Sequence, residues 1–176
     1  MKTEMTCSDA IVKSLIKYGV DTIFGIPGAQ TYALFDAISR HKADINLIVS
    51  RHEQGAGYMA YGYAQSTGNV GVYTVVPGPG LLNSTAALCT AHNTPVLCIT
   101  GQVPSKFLGV GHGMLHELAD QLGILRSLTK WADRINHAAE TPASMSTAFK
   151  KLNSGRKHAV APVSYTHLTL PTIYSV

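Results

Sequence analysis

Residues 45–64 read INLIVSRHEQGAGYMAYGYA. They begin with an apolar run and continue into small residues and tyrosines. A short unbroken apolar run suits a strand buried on both faces, as in a parallel sheet. The segment after it predicts a helix from about residue 53 to just before Gly68, where glycine can close the last turn. Glu53 stands where the two meet. A carboxylate there has two readings. It can complement the helix dipole in the first turn. It can also handle protons or hydrogen bonds at a dry strand end, where burial disfavours its charge.

The alternation extends outward in both directions. Thr6-Cys-Ser-Asp9 has the form of a capping box, with Asp in place of Glu. It predicts a helix with Ile11, Val12, Leu15 and Ile16 on one stripe, stopped by Gly19. A strand over 22–24 ends in Gly25-Ile-Pro-Gly28, and a helix over 31–40 leads to the strand at 45–50. Beyond the opening stretch, a strand over 70–76 runs into Pro77-Gly-Pro-Gly80. A helix over 81–90 and a strand over 95–100 follow. The glycine-rich run GQVPSKFLGVGHG at 101–113 reads as a loop. Next come a short helix near 115–122, a strand over 125–131, a helix over 142–152 and a strand over 159–163. Strands alternating with helices define an α/β fold: an open, mostly parallel six-stranded sheet with helices on both faces.

Composition fits this reading. The chain has 176 residues, 45% hydrophobic and only 14% charged, which suits one domain with a well-buried core. No apolar run is long enough to span a membrane, and the start has no signal-peptide core, so the expectation is a cytoplasmic protein with no membrane partner. The net charge of +4 includes one cluster, Lys150, Lys151, Arg156 and Lys157. That is too narrow for a nucleic-acid face and reads as a solvated helix end. Cys7, Cys89 and Cys98 contain no C-x-x-C; the last two lie in apolar segments and read as small hydrophobes.

Ligands of open parallel sheets bind beyond the carboxyl ends of the strands. Gly25-Ile-Pro-Gly28, His52-Glu53, Pro77-Gly-Pro-Gly80 and Gln102 all fall at such ends. Their convergence is a stronger signal than any one of them. Pro77-Gly-Pro-Gly80 lacks the Walker Lys-Ser/Thr and the dinucleotide glycine spacing, so it marks either a close approach of backbone to a ligand or a tight turn. His52-Glu53 does not continue into the zinc-protease H-E-x-x-H, because residue 56 is Ala. His112 and His116 would face one another only on a helix, which Gly111 and Gly113 disfavour, so no metal site is assigned.

Taken in order, Asp21-Thr-Ile-Phe-Gly-Ile-Pro-Gly28, Arg51-His-Glu-Gln-Gly-Ala-Gly-Tyr-Met-Ala60, Gly62-Tyr-Ala64, Gly78-Pro-Gly80 with Asn83, and Thr100-Gly-Gln-Val-Pro104 resemble one family. It is the N-terminal pyrimidine-binding domain of thiamine-diphosphate enzymes, nearest the acetolactate synthases and related 2-oxoacid decarboxylases and carboligases. The resemblance covers about residues 4–163. It implies that Glu53 hydrogen-bonds the cofactor's aminopyrimidine ring and drives its activation. It further implies that Pro27, Gly28, Gly78, Pro79, Gly80 and Asn83 wall that ring, and that Gln102 faces the reacting carbon. It implies a 2-oxoacid substrate such as pyruvate and a homodimer or tetramer as the full-length enzyme. Mg2+ would be held by a separate diphosphate-binding domain, and FAD is a further candidate.

The sequence departs from that family in places. Leu115-His116-Glu117 stands where acetolactate synthases carry Phe-Gln-Glu. The central and diphosphate-binding domains have no counterpart, so this stretch alone is expected to be inactive. Residues 1–163 read as the pyrimidine-binding domain and 164–176 as a non-native tail. Two other readings stay open from the residues: a stand-alone α/β nucleotide-binding module, and a non-catalytic remnant.

Overall fold

The computed structural model describes residues 5–165. The chain alternates as β1 (Thr22–Gly25), β2 (Asn46–Val49), β3 (Gly71–Val75), β4 (Val96–Thr100), β5 (Trp131–Ile135) and β6 (Val160–Ser164) with six helices. These are α1 (Cys7–Lys17), α2 (Tyr32–Arg40), α3 (Glu53–Thr67), α4 (Pro79–Thr90), α5 (Gln121–Leu128) and α6 (Thr141–Asn153). All strand pairs are parallel, in the order β2-β1-β3-β4-β6-β5.

Alternation along the strands explains the layers. Val72, Leu97, Ile99 and Val160 point into one cluster with Ile11 and Leu15 of α1, Leu34 and Ile38 of α2, and Phe149 of α6. Their strand neighbours Tyr73, Val75, Cys98 and Ala161 point into the other, with Ala56 and Ala60 of α3, Leu81 and Leu88 of α4, and Leu125 of α5. Successive side chains leave a strand on opposite faces, so both faces carry helices and the central strands β3, β4 and β6 are buried along their whole length.

The capping box at the start of α1 forms as read. Thr6 Oγ1 accepts the Asp9 N–H at 3.0 Å, and Asp9 Oδ2 accepts the Thr6 N–H at 3.2 Å. Asp9 also takes the Arg40 guanidinium at 2.6 Å, which ties α1 to α2. Burial alone would raise the Asp9 carboxyl, but Arg40 and Thr6 outweigh it and hold it below its ordinary value of 3.8. The charged form is therefore favoured by folding. Its contribution is complete above the unfolded value and is lost as pH falls through the lower folded value. Asp9→Ala is expected to cost about 1 kcal/mol in urea unfolding near neutral pH, with the gap to the parent chain narrowing as pH falls below the ordinary carboxylate value.

Three expectations change. The region after residue 114 does not form a helix over 115–122 and a strand over 125–131. Asp120 caps α5 instead, accepting the Gly123 N–H at 2.8 Å, and the strand follows at Trp131–Ile135. The apolar residues Leu122, Leu125 and Leu128 recur at helical spacing, so the period of three to four wins over the apolar content. Second, β2 is not buried on both faces: Ile48 and Val49 are 44% and 59% exposed, because β2 is the edge strand. Third, Cys89 lies exposed on the outer side of α4. Cys98 does behave as a small hydrophobe, and burial pushes its thiol up to about 12. The last strand includes Ser164, one residue past the expected domain end, and Tyr165 is buried behind it. The rest of the expected non-native tail lies outside the described residues.

Candidate active site

The strand register brings the four loops to one edge. Gly25 is level with Val49 on one side and Thr74 on the other, and Val75 is level with Thr100. The residues following β1, β2, β3 and β4 therefore leave the sheet together. From β1 the chain turns to α2 on one face; from the adjacent β3 it turns to α4 on the opposite face. Neighbouring strands whose helices diverge leave a crevice at their carboxyl ends, the usual ligand position in such sheets.

Glu53 is the first residue of α3, and His52 caps the helix by accepting the Gln54 N–H on its ring nitrogen at 3.2 Å. Capping is thus supplied by His52, which leaves the Glu53 carboxylate for other work. Glu53 Oε2 accepts a hydrogen bond from Asn83 Nδ2 of α4 at 3.1 Å. Oε1 takes no hydrogen bond among the described residues.

Glycine shapes the floor beside it. Gly78 has φ 62, a conformation that side chains disfavour, and a Cβ there would fall 2.6 Å from the His116 carbonyl oxygen. A Cβ on Gly80 would fall 2.5 Å from Val76 Cγ2 and 3.5 Å from Glu53 Oε1. Gly28 approaches the other methyl of Val76, where a Cβ would come within 2.6 Å. Val76 is thus flanked by the loops after β1 and β3, and the carboxylate opens above them.

The expected residues do not all converge. Glu53, Asn83, Gly28, Gly78 and Gly80 share the crevice, with Pro27 and Pro79 exposed at its rim. Gln102 is buried, and its Oε1 folds back onto the Val103 N–H at 2.9 Å. The crevice is not dry within this chain: Glu53 is half-buried and Asn83 exposed. Of the histidines in the glycine-rich region, His116 Nδ1 meets Gln30 Oε1 at 2.7 Å. Glu117 accepts the N–H groups of Gly111 and Met114, both at 2.9 Å, so it braces the loop.

One functional residue was missed in the sequence. Gln121, the first residue of α5, is 2% exposed. Its Oε1 accepts the Gly78 N–H at 3.1 Å and its Nε2 donates to the Gly101 carbonyl at 2.9 Å. It fastens the loop after β3 to the end of β4. A glutamine in a segment read as helix end gave no sign of this. Gln121→Met is expected to leave both backbone groups unpaired, at about 1–3 kcal/mol each. Amide hydrogen exchange at Gly78 checks the point and should accelerate sharply.

Together these residues form a half-open crevice at a sheet switch point, with a carboxylate oxygen beside a glycine floor. Residues 5–124 match the family described as thiamine pyrophosphate enzyme, N-terminal TPP binding domain, and this chain belongs to that family. It is 36% identical to the probable 2-ketoarginine decarboxylase of Pseudomonas aeruginosa over 95% of this chain and 29% of that protein. It is 39% identical to the mitochondrial acetolactate synthase catalytic subunit of Saccharomyces cerevisiae over 80% of this chain and 20% of that one. It is 36% identical to the acetolactate synthase isozyme 1 large subunit of Escherichia coli over 88% and 27%. The chain thus spans between a fifth and three tenths of the length of these relatives.

Proposed function

We propose that this chain supplies the pyrimidine-binding half of a thiamine-diphosphate enzyme that decarboxylates a 2-oxoacid such as pyruvate and transfers the acyl unit. The observation carrying this reading is the Glu53 carboxylate, held on one oxygen by Asn83 and open on the other above Gly80. The donor set fits the group: a planar ring needs the close approach that Gly28, Gly78 and Gly80 permit, and its ring nitrogen needs a carboxyl partner. When bound, thiamine diphosphate supplies the carbon nucleophile and electron sink for loss of CO2. Glu53 then holds or shares a proton at the ring nitrogen, and Asn83 fixes the carboxyl orientation. Gln121 keeps Gly78 in place, and Gln102, whose Oε1 accepts the Val103 N–H here, would face the reacting carbon.

The exposure of Glu53 supports a site completed by a second domain, with Mg2+ and the diphosphate held there and the enzyme a homodimer or tetramer. FAD belongs to the same proposal. The probable 2-ketoarginine decarboxylase, with Leu115-His116-Glu117 in this chain, favours a second reading in which decarboxylation is not followed by acyl transfer. Turnover of the longer enzyme with pyruvate and with 2-ketoarginine separates the two. Acetolactate from pyruvate supports the first, and CO2 release without a condensed product supports the second. Tight nucleotide binding by this chain alone would overturn both in favour of a stand-alone nucleotide module.

A further inference from the structure

The opposite edge of the sheet carries its own cluster. Lys130 precedes β5, His158 and Arg156 precede β6, and His92 and Asn93 precede β4. These segments are pinned to one another. The Lys130 N–H donates to the Ala159 carbonyl at 2.9 Å, and the Asn93 N–H to the Lys157 carbonyl at 3.0 Å. Asn93 holds φ 61, and its Oδ1 accepts from Arg156 Nε at 2.8 Å, which fixes the guanidinium. The Lys130 ammonium donates to the carbonyls of Ser154 and Arg156, wrapping the 154–156 turn around itself. Lys130, Ser154, Gly155, Arg156 and His158 line a recess of about 480 Å³. Among the described residues, neither Lys130 nor Arg156 forms an ion pair with a carboxylate. Two ordered cations with no counter-charge, around a recess, are suited to an anion.

His158 adds a condition. The His92 and His158 rings meet edge to face at 4.6 Å. His158 Nδ1 accepts the Ala159 N–H at 2.6 Å, so the neutral ring carries its proton on Nε2. Burial first, then His92, Arg156 and Lys130, hold this imidazole below its ordinary value. Charging it also forfeits the Ala159 bond, so the neutral ring is favoured and a nearby anion would favour the charged one.

We propose that this recess is a binding site for a doubly charged tetrahedral oxyanion of the phosphate class, held by Lys130, Arg156 and His158, with binding coupled to proton uptake on His158. A folded-state proton affinity raised by the ligand makes binding tighter as pH falls.

Sulfate is the probe, since its charge is constant across the range. NMR titration of the 176-residue chain should show saturable shifts of the His158 and His92 ring protons, with affinity about tenfold higher near pH 6 than near pH 8. Arg156→Gln and Lys130→Gln should each weaken it about tenfold with the amide spectrum otherwise intact, while Lys150→Gln, on α6, should not. Inorganic phosphate and adenosine monophosphate then distinguish a free oxyanion from a nucleotide-borne one. Equal affinity supports the first and tighter monophosphate binding the second. No saturable shift at either pH, or equal weakening by Lys150→Gln, overturns the proposal. Because the recess lies across the sheet from Glu53, its failure leaves the cofactor assignment standing.

Discussion

Glu53→Gln in the longer enzyme is expected to lower turnover by roughly 10²- to 10⁴-fold while the fold survives. The amide has nearly the same shape and can still bond Asn83. It cannot share a proton with a ring nitrogen, which is the one property the proposed role requires. Turnover near the parent rate would sink the assignment. Circular dichroism and cofactor binding, measured on the same sample, separate the possible causes. Retained binding with lost turnover places the effect on proton handling. Loss of both would make Glu53 an anchoring group instead.

Gly71→Ala is expected to be the most damaging single methyl in the chain. Gly71 opens β3, and a Cβ there would run directly into the backbone carbonyl of Ala60 in α3. Neither a central strand nor a mid-helix carbonyl can yield, so the cost is expected to exceed about 3 kcal/mol, enough to unfold a marginal domain. Gly62→Ala is the control. It lies within the same helix, is exposed, has ordinary helical φ, and nothing lies within 4 Å of its Cβ position. That substitution should stabilise by about 0.5–1 kcal/mol. Urea midpoints of the two variants should therefore move in opposite directions. Equal midpoints would mean that α3 does not pack on β3 as described.

Much of the fold was legible because its signals are local. The apolar runs at β3 and β4, the stop at Gly68 and the Thr6–Asp9 capping box depend on neighbours within a few residues, and each formed as read. The reading failed where a polar side chain outranked apolar content. Asp120 started α5 six residues later than expected, and that shift moved the strand behind it. The exposure of Ile48 and Val49 was likewise hidden, because an edge strand and a central strand have the same composition when read alone.

The sequence by itself determined the alternation of strands and helices, the placement of Glu53 and the glycine loops at strand ends, and the family they belong to. Residue type and near-neighbour spacing carry that information. Only the tertiary structure decided the strand order, which puts the crevice between β1 and β3. It also paired Asn83 with one oxygen of Glu53, set Gln121 across Gly78 and Gly101, and gathered Lys130, Arg156 and His158 at the far edge. Each of these joins residues 20 or more apart in the chain, or fixes which oxygen of a carboxylate is left open. Pairing and burial at that range follow from how the sheet closes, which no local pattern encodes.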